Sequence, residues 1–159
     1  MWRGDGRLFQ SLLAFQRGAS ADGMTLYTQA LADMDRAVAL TPRDISVRVP
    51  RGAALLPYAR GLRPFNRAEA DRLTNIAISD FEFVVEASAP WWDRMKEHGR
   101  GELLGALADG WLQLGNVDKA RPYLERMSSE LPGTAYDKNA ELRRADPAAK
   151  TPLTCLGCH

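Results

Sequence analysis

Cysteine and histidine are scarce in this sequence, which has only two of each among its 159 residues. It also lacks an excess of either charge, since 21 Lys and Arg residues face 20 Asp and Glu residues. This balance does not indicate binding to nucleic acid or to an anionic membrane. No apolar run approaches the roughly 20 residues that a membrane span needs, so we expect none.

Signatures of catalysis are missing as well. The sequence has no glycine-rich phosphate loop, no nucleophile elbow and no pair of metal-binding histidines at helical spacing. We therefore expect that the protein is not an enzyme. Residues 1–6 are polar and do not resemble an export signal.

Apolar residues recur with the period of an α-helix along most of the chain, whereas the longest alternating run, at 45–49, is better interpreted as a helix start. Breakers at 41–42, 115–116 and 132–133 separate the periodic segments. The pattern predicts helices at about 7–19, 24–40, 67–87, 102–114 and 117–131, and a short polar one at 134–145. Residues 61–66 are predicted to be an inserted loop.

The segment 101–134 resembles a tetratricopeptide repeat, a pair of antiparallel helices with small residues where they touch. The residues that match the pattern of that family are Ala108, Trp111, Gly115, Asn116, Ala120, Leu124 and Pro132. Met127 departs from it, because alanine is usual there. Looser copies precede this repeat, so the resemblance covers about 7–133.

The resemblance implies an all-α, tetratricopeptide-like solenoid of about three antiparallel helix pairs with a capping helix, occupying residues 1–145. Pro147 and Pro152 bias the remaining residues, 146–159, toward an extended arm. Residues 146–154 could span at most about 30 Å. That length is enough to lay the following residues back on the same helices or to hand them to a neighbouring molecule.

The two cysteines fall in Cys155-Leu156-Gly157-Cys158-His159, a C-x-x-C-H pattern. Two thiols at this spacing can each form a thioether to a haem vinyl group, and the adjacent histidine can then ligate the iron. The pentapeptide is similar to the attachment motif of c-type cytochromes. The resemblance implies one covalent haem c held by Cys155, Cys158 and His159, with His159 as an axial ligand.

Other interpretations of the motif remain open. A structural zinc ion wants four ligands, so His98 or a carboxylate would have to complete the three offered here. A dithiol redox site, a disulfide or an inert tail are further alternatives. For a haem, His98 is the candidate second axial ligand, against the simpler view that it is a solvated residue at a helix junction. Met95 is a weaker candidate.

Three cationic residues near the motif, Arg143, Arg144 and Lys150, could pair with haem propionates, although a solvated helix end explains them more simply. The pair Trp91-Trp92 could flank a haem or form a contact surface. We expect instead that it packs the start of a helix.

These features predict a periplasmic or extracellular monohaem c-type cytochrome on a tetratricopeptide scaffold, transferring electrons while docked to a protein. Its export signal would have been removed or omitted, because haem is attached to such motifs outside the cytoplasmic membrane. The partner would be a redox protein or a second copy in a homo-oligomer. One alternative is a self-assembling structural protein whose haem links subunits; another is an adaptor without haem whose tail binds zinc or nothing.

Overall fold

The computed structural model describes residues 1–154 and leaves residues 155–159 undescribed. Within the described residues the chain forms seven α-helices and one 3₁₀ helix and no strand, so the prediction of an all-α fold is confirmed. The elements are α1 (Trp2–Gln16), α2 (Ser20–Leu40), α3 (Ile45–Leu62), α4 (Arg67–Ser88), the 3₁₀ helix (Ala89–Arg94), α5 (Glu97–Gln113), α6 (Val117–Glu130) and α7 (Ala135–Ala145). None of the helices in this part is long and apolar enough to cross a membrane.

Two compact units make up the chain, one comprising Met1–Ala54 and the other beginning at Leu55. In the first unit α1 and α2 pack as a hairpin around a turn at Gly18, whose φ of 78° favours glycine. Gly4 lets α1 approach α2 closely, because a Cβ atom there would lie 2.8 Å from the Met34 side chain. Met34 is fully buried, so this contact forms the centre of the hairpin.

In the second unit α4, α5, α6 and α7 pack in sequence, each against the next. Short connections reverse the chain, and Gly115 and Gly133 adopt φ values of 77° and 78° at two of them. The side chains of Asn66, Asn116 and Thr134 each accept a hydrogen bond from a backbone N–H in the first turn of the helix that follows. These polar turn and cap residues explain why α4, α6 and α7 begin where they do.

Helix bounds agree with the periodicity to within about five residues. Helix α1 begins at Trp2, before the predicted start near residue 7. Helix α3 runs to Leu62, so only 63–66 remain of the loop that was predicted at 61–66. Helix α5 begins at Glu97 and not near residue 102. His98 is therefore an exposed residue in the first turn of α5, just after the junction with the 3₁₀ helix.

The pair α5 and α6 buries the small and apolar residues that carried the tetratricopeptide resemblance. Ala108 and Ala120 are fully buried, and Leu124 is 2% exposed. Met127 is also fully buried where that pattern has alanine. Close helix packing follows from these residues alone; membership of the tetratricopeptide family stays a prediction.

Residues 146–154, called the arm below, turn at Asp146 and lie back on the helices of their own chain. The backbone N–H of Ala149 donates to the carbonyl of Asp146 at 3.1 Å, which closes the turn. Leu153 is only 2% exposed, and it is the arm's anchor in the core of the second unit. The sequence allowed the arm to pack on its own helices or on a neighbouring molecule. Its described part packs on the helices of its own molecule.

Candidate functional site

The predicted haem ligands Cys155, Cys158 and His159 lie outside the described residues. The structure does describe how the chain reaches them, because the arm ends at Thr154. The candidate site is therefore built from the arm, the helices beneath it and His98.

Two side chains of helix α7 donate hydrogen bonds to backbone carbonyl groups of the arm. Arg143 Nη1 donates to the carbonyl oxygens of Ala149 at 2.6 Å and of Thr151 at 3.2 Å. One turn earlier on α7, Asn139 Nδ2 donates to the carbonyl of Pro152 at 2.9 Å. These bonds satisfy backbone acceptors that have no helix or sheet partners.

The arm packs against helix α5 at Gly105. A Cβ atom at Gly105 would lie 2.0 Å from the carbonyl oxygen of Leu153 and 3.4 Å from Thr154 Cγ2. The first distance is far shorter than any van der Waals contact, so only glycine allows the arm this close to α5. The last described residue is thus fixed beside the middle of α5.

The hydrogen bonds give the arm a direction. Residues 149 and 151 lie beside Arg143, and residue 152 lies beside Asn139, so the arm runs antiparallel to α7. Leu153 and Thr154 then form a bend beside the middle of α5.

Tyr136 lies between α7 and the start of α5. Its ring covers Gly101, where a Cβ atom would meet the ring carbons at 2.5–2.6 Å. Its Oη lies 2.8 Å from His98 Nδ1 and 2.7 Å from Glu102 Oε1. The side chains His98, Tyr136 and Glu102 thus form a hydrogen-bonded triad, called the His98 triad below.

Hydrogen-bond donors and acceptors assign the His98 tautomer. A carboxylate can only accept, so the single hydroxyl proton of Tyr136 points to Glu102. The oxygen of Tyr136 then accepts from Nδ1–H of His98. A neutral His98 consequently carries its lone pair on Nε2, which has no hydrogen-bond partner within residues 1–154. A neutral imidazole nitrogen in this state is a metal ligand.

The charged residues near the motif have different surroundings. Arg143 is 9% exposed, and burial lowers the pKa of its guanidinium, an effect that the carboxylate of Asp109 partly offsets. It is therefore not the solvated helix-end residue that we expected. Arg144 and Lys150 are exposed, as that interpretation required.

Trp91 and Trp92 lie in the 3₁₀ helix that leads into α5. Trp92 is 9% exposed, and its Nε1 donates to Glu130 Oε2 at 2.7 Å. The guanidinium of Arg126 stacks over its ring at 4.9 Å. The expectation that the pair packs a helix start holds for Trp92, while Trp91 remains partly exposed.

Sequence reasoning missed Tyr136, Glu102, Gly101 and Gly105. One signal was available, because His98, Gly101 and Gly105 fall on one face of a helix at spacings of three and four. That signal was lost when the helix was predicted to begin after His98. The role of Tyr136 was hidden because it is 38 residues away from His98 in the chain.

No group of three or more potential metal ligands occurs in the part of the chain that the structure describes. The described residues can thus contribute at most part of a ligand set. The donor chemistry of the sequence motif is that of a haem c, two thiols for the vinyl groups and one imidazole for the iron. The residues present therefore fit the group.

Comparison with known proteins gives no further guide: the chain matches no protein-family model, no curated protein and no solved structure.

Proposed function

We propose that this protein is a monohaem c-type cytochrome, periplasmic or extracellular, that transfers electrons while docked to a protein partner. The observation that carries the proposal is the C-x-x-C-H sequence directly following an arm that is fixed on its own helices. The thiols of Cys155 and Cys158 would hold the haem and His159 would ligate its iron. When bound, the haem supplies one-electron redox chemistry.

The anchored arm supports this function physically. Electron transfer benefits from a cofactor held at a fixed position on a rigid scaffold. Three hydrogen bonds from α7 and the close contact at Gly105 hold the arm up to the residue before Cys155. A haem on Cys155 and Cys158 would therefore be attached directly after a fixed part of the fold.

The test is production of the full chain behind an export leader in a bacterial host that attaches haem to c-type cytochromes. We expect a Soret band that remains with the protein through acid-acetone extraction and a mass increase of one haem. The double variant Cys155→Ser/Cys158→Ser is the control and should lose both signals. A wild-type chain of bare polypeptide mass, or one that carries zinc, would overturn the proposal.

A second candidate function is self-assembly, with the haem linking neighbouring subunits. One observation favours it: α1 exposes Trp2 and Phe9, which are 83% and 62% exposed and lie seven residues apart on one face. Leu12 adds to this face at 41% exposure. Apolar side chains grouped at the surface mark interaction sites more often than scattered ones do.

A further inference from the structure

We propose that two copies of this chain associate through the outer face of α1 as a closed, two-fold symmetric dimer in which the two α1 helices pack antiparallel. Such a dimer is a specific form of the association considered above as a second candidate function, and the proposal rests on that candidate. It requires no haem. The contact is formed by four residues of α1, called the α1 seam below: Trp2, Gly6, Phe9 and Leu13.

The α1 seam lies on the side of α1 that faces away from α2. Its residues follow one another at spacings of four, three and four, which places them within about 60° around the helix axis. Three of them are exposed, and Leu13 is partly exposed. The opposite side carries the buried residues of the helix, which are Gly4, Leu8, Ser11 and Ala14. Helix α1 thus has a second stripe with the heptad spacing of helices that pack side by side.

The seam is complementary to itself in the antiparallel orientation. A two-fold axis halfway along the seam brings Phe9 of one copy opposite Gly6 of the other. The same axis brings Trp2 opposite Leu13, so each aromatic side chain meets a smaller residue. In the parallel orientation Trp2 would face Trp2 and Gly6 would face Gly6, which crowds one layer and leaves a void in another.

Gly6 leaves open space on the seam. In the part of the chain that the structure describes, a Cβ atom added at Gly6 would meet nothing within 4 Å. Phe9 lies on the same face and is 62% exposed. The gap over Gly6 is therefore accessible to the ring of Phe9 from a second molecule.

The charges around the seam favour a second copy over a strongly charged partner. The four seam side chains carry no ionisable group. Arg3 and Arg7, the cations in the first two turns of α1, both pair with Asp33 on α2, so their charge is offset within the molecule. A second copy presents the same uncharged apolar surface, which is complementary to this one.

The residues that flank the seam are also compatible with antiparallel pairing. Residues beside the seam on one helix meet the corresponding flank of the other helix. This pairing places Arg3 beside Gln10 of the second copy and Asp5 beside Leu12. Like charges therefore do not face each other across the dimer.

The exposed area predicts a weak and reversible dimer. Trp2 and Phe9 are 83% and 62% exposed, and a fully covered aromatic side chain buries about 150–250 Å². The four aromatic side chains of a dimer therefore offer about 600 Å², to which Leu12 and Leu13 add. Interfaces below about 1,200 Å² are typically weak, so we expect a Kd between about 1 μM and 1 mM.

The first experiment measures the mass of the full chain by analytical ultracentrifugation over a concentration series. We expect an equilibrium between monomer and dimer that does not proceed further. Gly6→Leu fills the gap opposite Phe9 and should raise the Kd of the dimer by about 10-fold or more, as overpacking does. Because the variant also exposes more apolar surface, unspecific association through α1 would instead be strengthened.

Gly61→Leu is the matched control. It makes the same change at an exposed glycine of another helix, where an added Cβ atom likewise meets nothing within 4 Å in the described part of the chain. Its dimer should have the wild-type Kd. Leucine is the better helix former at both positions, so neither variant should melt at a lower temperature than the wild type.

A distance measurement tests the orientation of the two helices. Gln16 is exposed and lies at the end of α1 on the seam face. Spin labels on Gln16→Cys, in the full-length Cys155→Ser/Cys158→Ser background, should be about 25 Å apart in an antiparallel pair. Parallel helices would bring the labels to about 10 Å. Double electron–electron resonance and the width of the continuous-wave spectrum separate the two cases.

Four results would overturn the inference: a wild-type chain that is monomeric at 1 mM, a Gly6→Leu dimer as tight as the wild type or tighter, labels about 10 Å apart, or a mass that keeps growing beyond the dimer. The last result would favour an open assembly. Absence of covalent haem from the wild type contradicts the proposed cytochrome function and changes none of these masses or distances, so the two failures are distinguishable.

Discussion

At the scale of single residues, Gly105 decides whether the arm can lie on α5. A methyl group there would overlap the carbonyl oxygen of Leu153, which is a backbone atom and cannot rotate away. We expect Gly105→Ala to displace the arm and to lower the free energy of unfolding by about 1–3 kcal/mol, as overpacking does. Hydrogen exchange at residues 149–154 should rise.

The matched control is Gly61→Ala, because Gly61 also lies in a helix and a Cβ atom added there would meet nothing within 4 Å. Helix propensity favours alanine at both sites. Equal stability changes in the two variants would contradict the role assigned to Gly105.

Arg143 makes a second residue-scale prediction. Its two hydrogen bonds to arm carbonyls are charge-assisted, and such bonds contribute about 1.5–3 kcal/mol each at most. Arg143→Met keeps much of the side-chain volume but should release the arm, which increased proteolysis within 146–154 would detect. Arg144→Met, on the exposed neighbour, is the control and should leave the proteolysis rate unchanged.

At the scale of elements, the α1–α2 hairpin has an acid-sensitive contact. Arg3 and Arg7 both pair with Asp33. Partial desolvation raises the pKa of the Asp33 carboxyl, but the two guanidinium groups outweigh this effect. The pKa of Asp33 therefore lies below its ordinary value. A carboxyl whose pKa is lower in the folded state than in the unfolded state stabilises the fold at pH values above its unfolded-state pKa, which is near 3.9. This stabilisation is lost as the pH falls through the folded-state pKa.

We therefore expect Asp33→Asn to reduce the difference in melting temperature between pH 6 and pH 3. Because the carboxylate is near the surface, the change should be small. Thermal unfolding followed by circular dichroism at the two pH values would measure it. Asp93→Asn, which makes the same chemical change at an exposed position, should leave that difference as it is in the wild type.

A comparison of predicted and observed helix bounds shows which parts of the fold the sequence can predict. Helices α2, α4, α6 and α7 were predicted to within a few residues, because apolar periodicity is a local signal. Asn or Thr caps also mark the starts of α4, α6 and α7. The start of α5 was missed because its first turn, from Glu97 to Arg100, is polar and glycine-containing. No periodic apolar residue marks such a turn.

The candidate site was accessible to sequence only in part. The C-x-x-C-H motif and His98 could be found from residue types, since cysteine and histidine are rare here. The course of the arm could not, because it depends on hydrogen bonds to backbone carbonyls and on a gap left by glycine. Neither leaves a periodic pattern in the chain.

At the scale of the whole molecule, a haem within one chain and self-assembly through α1 are compatible, since they use different residues. If the exposed face of α1 mediates association, Trp2→Ser/Phe9→Ser should lower the mean mass measured by light scattering at a fixed concentration. The physical reason is the apolar area that association removes from water, worth about 25 cal/mol per Å².

Phe65→Ser is the control for that prediction, because Phe65 is also an exposed aromatic, at 87%, but is not part of the α1 face. If the proposed haem is bound within one chain, its spin state should be the same in all three proteins. A change of spin state that accompanies loss of the assembly would instead place the iron between subunits. That outcome would favour the haem-linked assembly over the monomeric electron carrier.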